Sequence, residues 1–163
     1  DESPLTAASD DNRLTEAAVR TALLSEVNEY REAKGRARLN ANDKINAAAQ
    51  AHADDMATKE YLAHRQPDGD TLQDRYMNTG VACDAGAENV AMTYYQTTVQ
   101  LDNGSTAYYD SPAALAKGVI RQWINSPEHR ENMLARDYSR VGHGVGITTG
   151  DGKAVVYVAQ DFC

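Results

Sequence analysis

Residues 141–162, VGHGVGITTGDGKAVVYVAQDF, contain two apolar segments separated by the turn GDG at 150–152. Apolar runs that flank a glycine-rich turn are typical of a β-hairpin. We therefore predict strands over 141–148 and 153–162. A hairpin pairs its strands antiparallel, so this segment predicts an antiparallel sheet at the end of the chain.

The segment 86–110 predicts further strand structure. Tyr, Thr and Val dominate residues 93–99, and the turn signal DNG at 102–104 precedes the short run 105–109. These residues are expected to add a second hairpin.

Helical patterns surround these strands. Apolar residues recur at helical spacing over 14–34 and 41–61, and a shorter helix is expected over 70–78. Ser-Pro pairs at 111–112 and 126–127 predict two more helix starts, because Ser suits the N-cap and Pro suits the first turn. The order of elements predicts an α+β domain in which helices cover the faces of a central antiparallel sheet.

Composition bounds the kind of protein. The chain has 163 residues, 42% of them hydrophobic, and a net charge of −8. That length predicts one domain with a sizeable core. An acidic surface argues against nucleic acid as the main partner and against adsorption to anionic membranes.

The first residues differ from the rest of the chain. Residues 1–13 are short, polar and acidic and are expected to be a flexible leader, with a single domain over 14–163. The sequence begins with Asp rather than Met and has no signal peptide, so we expect a trimmed mature form. It also lacks the apolar run of about 18 residues that a membrane span needs.

Two cysteines, Cys83 and Cys163, leave two alternatives open. In an exported protein they are expected to form a disulfide, which would pin the C-terminus and stabilise the fold by about 4 kcal/mol in the chain-entropy model. In the other interpretation they are unpaired buried thiols.

Three polar side chains are candidates for chemistry: His64 in AHRQPDG at 63–69, Glu88 in AENVA at 87–91, and His129 in WINSPEHRENML at 123–134. Two imidazoles and a carboxylate can bind a metal or transfer a proton. His129 is predicted in a first helical turn, where the helix dipole favours a neutral imidazole.

Less demanding interpretations stand beside these. His64 is also consistent with a solvated loop residue, and Glu88 with an exposed strand edge. His52 and Trp123 lie on apolar helix faces and are predicted in the core. The orientation of His143, between two glycines, is left open.

The motifs AHRQPDG, AENVA, WINSPEHRENML, GHGVG and VYVAQDF occur in this order over about 14–163. The chain thereby resembles the CAP superfamily of cysteine-rich secretory proteins, antigen 5 and plant pathogenesis-related proteins, in particular its prokaryotic, SCP-like branch. The resemblance implies a three-layer α-β-α sandwich, an extracellular or cell-surface location, and a large cleft with two His and two Glu that binds zinc or another divalent ion in some members.

The motifs assign three of these four cleft residues. His64 and His129 match the two histidines, which implies a metal role for them, and Glu88 matches the glutamate of the GEN signature. Ser126 occupies the position of the second glutamate, for which Glu128 and Glu131 are nearby candidates.

Three functions follow as hypotheses. The first is a secreted binding module, expected to be monomeric, whose cleft takes a divalent metal and a lipid, sterol or cell-envelope ligand. A Tyr-rich segment, 94–109, would line that cleft or form an ordinary hairpin edge. The second is a metal-assisted hydrolase whose candidate catalytic residues are His64, Glu88 and His129. The third is a structural surface domain that retains these residues as a hydrogen-bond network.

Overall fold

A computed structural model describes residues 13–163. Apart from residue 13, the predicted leader lies outside the described residues. The elements, in chain order, are α1 (Glu16–Ala33), β1 (Asn40–Ala41), α2 (Asp43–Lys59), α3 (Leu72–Thr79), β2 (Ala87–Tyr95), β3 (Thr98–Gln100), β4 (Thr106–Tyr108), α4 (Pro112–Ile124), α5 (Pro127–Leu134), β5 (Arg140–Gly150) and β6 (Lys153–Phe162).

Helix starts follow the local side-chain chemistry. The side chains of Thr15, Asn42 and Ser111 each accept a hydrogen bond from a backbone N–H in the first turn of α1, α2 and α4. Helix α3 begins with a capping box, in which Thr71 and Asp74 satisfy each other's backbone N–H groups. These caps fix where the loops between the elements begin.

The main sheet has the strand order β1-β5-β6-β2. Strands β5 and β6 form the predicted closing hairpin, and β2 pairs antiparallel with β6. The two-residue strand β1 pairs with β5 in parallel, which is the one departure from the expected antiparallel sheet among residues 13–163. The second predicted hairpin, β3–β4, forms a separate two-stranded sheet.

Helices cover both faces of the main sheet, as the three-layer prediction requires. On one face, α1 and α4 enclose the larger core, which includes Leu23, Leu115 and Trp123 and the sheet residues Val145 and Val158. On the other face, α2 packs Ala49, Ala53 and Met56 against alternate residues of β6: Val155, Tyr157 and Ala159. The domain is therefore α+β with the sheet at its centre.

Helix α2 lies directly on β5 because three alternate residues of this strand, 142, 144 and 146, are glycines. A Cβ on Gly142, Gly144 or Gly146 would collide with the backbone of α2. The nearest colliding atom in each case belongs to one of three α2 residues that are spaced one helical turn apart: Ile45, Ala49 and Ala53. The GHGVG motif is therefore the surface on which α2 rests.

Cys163 is fastened to the same sheet. Cys83 and Cys163 form a disulfide with a Cα–Cα distance of 5.9 Å. The backbone of Cys163 also exchanges hydrogen bonds with Arg140 at the start of β5. The bridge joins the loop that precedes β2 to the end of β6, so it fixes both strands that carry acidic site residues.

Replacement of Gly144 by Ala tests the close approach of α2. We expect G144A to lower the free energy of unfolding by about 1–3 kcal/mol, because the new methyl group overpacks against helix backbone that cannot rotate away. Urea unfolding measures the change.

G150A on the same strand is the matched control. A Cβ there would meet Val155 at 3.5 Å, an ordinary contact, so we expect a change within about 0.5 kcal/mol. Equal effects of G144A and G150A would contradict the proposed constraint.

Candidate functional site

Glu88 is the centre of a buried polar cluster on the edge strand β2. Its Oε1 lies 3.0 Å from His64 Nδ1, and its Oε2 accepts a hydrogen bond of 2.8 Å from Arg75. The side chain is only 2% exposed. Glu88 is therefore buried with partners, as one of the two sequence interpretations predicted, rather than exposed at an edge.

Three elements bring these partners to Glu88. The loop after α2 carries His64, and α3 carries Arg75, whose guanidinium also donates to the His64 carbonyl at 3.1 Å. Helix α2 places His52 next to the same carboxylate, with Nε2 3.8 Å from Glu88 Oε1. Arg75 thus fixes both the carboxylate and the loop that carries the first imidazole.

His52 is a packed core residue, as predicted. It is fully buried, and its Nε2 donates to the Ala63 carbonyl at 2.7 Å. Burial is the main cause that lowers its pKa, which keeps the ring neutral at neutral pH. Its role is to hold the start of the loop that presents His64.

A second carboxyl, that of Asp161, faces Glu88 from β6. The two residues are register partners in the β2–β6 pair, and Asp161 is fully buried. Among residues 13–163, no N–H or O–H donor bonds to either of its side-chain oxygens. A proton on Asp161 lets it donate to Glu88, since two ionised carboxylates can only accept.

The two carboxyl groups are shifted in opposite directions. Burial, together with the charge of Glu88, raises the pKa of Asp161 well above its ordinary value. Burial alone would also raise the pKa of Glu88. The hydrogen bonds from His64 and Asp161 and the charge of Arg75 outweigh that cost, so they lower the Glu88 pKa to about 2. The pair therefore carries one proton, on Asp161, and one charge, on Glu88.

His129 occupies the first turn of α5, as predicted. Its Nδ1 lies 2.8 Å from Ser126 Oγ. The predicted side-chain cap by Ser126 is absent: the residue stands at the N-cap position, but its hydroxyl bonds to the imidazole instead of to the backbone. Burial, and then the charge of His64, lower the pKa of His129. Its imidazole is therefore neutral at neutral pH.

The charge of Glu128 partly opposes the lowering of the His129 pKa and is a minor cause of the raised pKa of His64. Glu128 and Glu131 are exposed. Within the described part of the chain, no three His, Cys, Asp or Glu side chains form a group arranged to hold a metal ion. The assignment of His64 and His129 as metal ligands, with Glu88, Glu128 or Glu131 beside them, stays a prediction.

A chain of amides fastens α5 to the sheet. Asn89 donates to the His129 carbonyl at 3.1 Å and to Gln160 at 3.0 Å. Asn132 donates to Asn89 at 2.9 Å. Gln160 in turn forms a hydrogen bond of 2.9 Å with His143 Nε2. The sequence left the orientation of His143 undecided, and the structure shows that its side chain is buried. This network sets the position of His129 relative to Glu88.

The sequence motifs did not point to five residues of this cluster: Arg75, Asn89, Asn132, Gln160 and Asp161. The adjacent polar residues Gln160 and Asp161 interrupt an otherwise apolar strand, VYVAQDF, and that interruption was a usable signal. No comparable signal marks Arg75, because a charged residue on a short helix is usually solvated.

A family model for the cysteine-rich secretory protein family, CAP, matches residues 24–162. The chain belongs to this family. The match covers both hairpin strands, α2 and α5, and so includes every element that builds the His and Glu cluster.

Individual CAP relatives are more distant. The membrane protein YlbC of Bacillus subtilis is 28% identical over 123 residues, which are 76% of this chain and 30% of YlbC. The chain thus spans less than a third of that relative. An extracellular SCP-domain protein of Bacillus anthracis has a TM-score of 0.63 at 24% identity, over 92% of this chain and 44% of that one.

A second structure, NaASP2 with Zn²⁺, has a TM-score of 0.59 at 14% identity, over 93% of this chain and 82% of that one. At these identities the structures show a shared fold. Within residues 13–163 of the present CAP domain, no helix combines the length and apolar character needed to cross a bilayer.

The carboxyl pair predicts a specific pH dependence. The raised pKa of Asp161 means that the folded chain keeps a proton that the unfolded chain loses above about pH 4. Stability from this group is therefore lost as the pH rises. D161N removes this loss, because an amide keeps the donor, so we expect its stability relative to wild type to increase from pH 4 to pH 7.

Glu88 contributes with the opposite sign. Its lowered pKa stabilises the fold above about pH 4.5 and is lost as the pH falls towards about 2. We expect D161N to retain this acid loss, which serves as the internal control. Urea unfolding at several pH values measures both effects, and parallel profiles of wild type and D161N would contradict the protonated state of Asp161.

Proposed function

We propose that this chain is the CAP domain of an exported protein and acts as a binding module, whose His64 and His129 side chains hold a divalent cation such as zinc. The observation that carries the proposal is that both imidazoles have Nδ1 engaged, with Glu88 and Ser126 respectively. Each is thereby oriented with Nε2 available as a ligand atom.

Glu88 fits the part of an orienting group behind a ligand. An ionised carboxylate can only accept, so His64 Nδ1 carries a proton and its Nε2 presents a lone pair when the ring is neutral. Metal-binding histidines are commonly held in this way by a carboxylate. Since Arg75 engages the other carboxylate oxygen, Glu88 supports His64 rather than binding the cation itself.

The protonation states favour a cation that binds near neutral pH. The lowered pKa of His129 leaves it neutral and able to act as a ligand. The hydrogen bond to Glu88 is the main cause that raises the pKa of His64, so His64 must release a proton when it binds metal. We expect affinity to fall as the pH is lowered.

The comparisons supply two further supports. NaASP2 shares the fold and its structure contains Zn²⁺. The similar proteins include an extracellular protein of Bacillus anthracis and an outer surface protein of Borrelia burgdorferi. They support an extracellular or cell-surface location for this chain and a cation as its first ligand.

The alternative of a metal-assisted hydrolase has less support. Catalytic zinc sites use three protein ligands and an open position for water. Two imidazoles are available here, and both oxygens of Glu88 are already engaged. The donor set therefore suits cation binding better than hydrolysis.

Calorimetric titration with Zn²⁺ tests the proposal. Wild type is expected to bind one ion, and H64A/H129A none. E88Q is expected to bind about 10–100-fold more weakly, because it removes the group that orients His64.

E29Q is the matched control, since Glu29 is an exposed carboxylate on α1 and has no part in the proposed cation site. Its affinity is expected to equal that of wild type, and urea unfolding of each variant shows that it is folded. Undiminished Zn²⁺ binding by H64A/H129A would refute the site.

A further inference from the structure

A large cavity lies beside the His and Glu cluster rather than in it. It has a volume of about 860 Å³ and is bounded by the hairpin β3–β4, its turn, and one side of α4. This size falls within the range of about 300–1,000 Å³ that is usual for small-ligand sites. Ser126, which bonds to His129, stands at its end.

Close packing between the hairpin and α4 forms one end of the cavity. Tyr109 is buried directly over Gly118 of α4, where a Cβ would collide with its ring. Only a glycine at position 118 allows Tyr109, the residue after β4, to pack so close to α4. The preceding residue, Tyr108, also lines the cavity, and its side chain is 56% exposed. Such exposure is unusual for a large aromatic side chain.

Two positive charges stand on the α4 wall. Lys117 and Arg121 are one helical turn apart and exposed, and within residues 13–163 neither side chain has a hydrogen bond or an ion-pair partner within 4.0 Å. The turn contributes one negative charge, Asp102. In a chain with a net charge of −8, this wall is a local site for an anion.

The remaining lining is mixed. Leu101, Ala107 and Ala114 supply apolar surface, which suits the face of a sugar ring. Amide and hydroxyl side chains, which can both donate and accept hydrogen bonds, supply the polar part: Asn103, Thr106, Tyr108, Gln122, Asn125 and Ser126. A lipid tail would leave these groups unpaired, at a cost in binding free energy. A sugar chain would satisfy them and could rest a ring face on Tyr108.

We infer that the cavity between the β3–β4 hairpin and α4 binds an acidic oligosaccharide, with a sugar carboxylate at Lys117 and Arg121. Arg presents a planar pair of donors that matches a carboxylate. Glu26 and Glu29 of α1 share a second groove with the same two basic residues, so they repel a carboxylate there and favour its approach from the hairpin side. This site is separate from the proposed cation site and does not rest on it.

Calorimetry with tetragalacturonate, a linear sugar acid with one carboxylate per ring, tests the inference. We expect wild type to bind it, and K117Q/R121Q to bind at least about tenfold more weakly, because charge-assisted hydrogen bonds are lost. The fully methyl-esterified tetramer is expected to lose a similar factor. Y108A is expected to weaken binding while the dependence on salt stays the same.

The matched control is K44Q/K153Q, which removes the same number of exposed positive charges away from this cavity. Its affinity is expected to equal that of wild type. H64A/H129A is expected to bind the tetramer normally without added metal, so failure of the cation site and failure of this site are distinguishable.

Three results would overturn the inference. If K117Q/R121Q and K44Q/K153Q lost equal affinity for tetragalacturonate, the tetramer would be attracted by the overall charge of the protein and not by this cavity. Binding of tetraglutamate as tightly as tetragalacturonate would point to an acidic peptide instead of a sugar. Absence of tetragalacturonate binding to wild type would exclude the acidic oligosaccharide.

Discussion

The backbone of α2 lies against β5 with no side chain between them, and the candidate site depends on this close approach. Gly142, Gly144 and Gly146 make the approach possible, since a Cβ at any of them would meet the α2 backbone. The depth of α2 sets the depth of His52 and of the loop that follows, which carries His64. A helix displaced by one methyl layer would move that imidazole away from the edge strand that carries Glu88.

Burial of charge beside that helix explains why so many groups surround Glu88. An isolated buried carboxylate costs several kcal/mol, and here Arg75, His64 and a protonated Asp161 each offset part of that cost. The arrangement is self-consistent only with one charge in the carboxyl pair. Asp161 therefore belongs to the electrostatics of the site although it contacts no solvent.

Local sequence signals predicted the elements well, because Ser-Pro starts and the DNG and GDG turns act within a few residues. The same signals placed His129 in the first turn of α5 and His52 in the core. They could not show that Asp161 would stand opposite Glu88, since that depends on the register of β2 and β6. They also gave Ser126 the wrong partner. The backbone N–H groups of the first turn and the His129 imidazole are equally near to Ser126 in sequence, and only the packing of α5 decides which of them its hydroxyl bonds.

The division of tasks within the cluster follows from which atoms are already engaged. Both oxygens of Glu88 are held, so it cannot easily take a proton from a substrate, but it can fix the tautomer of His64. Asn89 fixes the segment that carries His129 through a backbone carbonyl, which leaves the ring itself unconstrained by the sheet. The two imidazoles are thus oriented by separate hydrogen bonds, His64 by Glu88 and His129 by Ser126. A cation bound at the two Nε2 atoms, as proposed, would leave both Nδ1 hydrogen bonds in place.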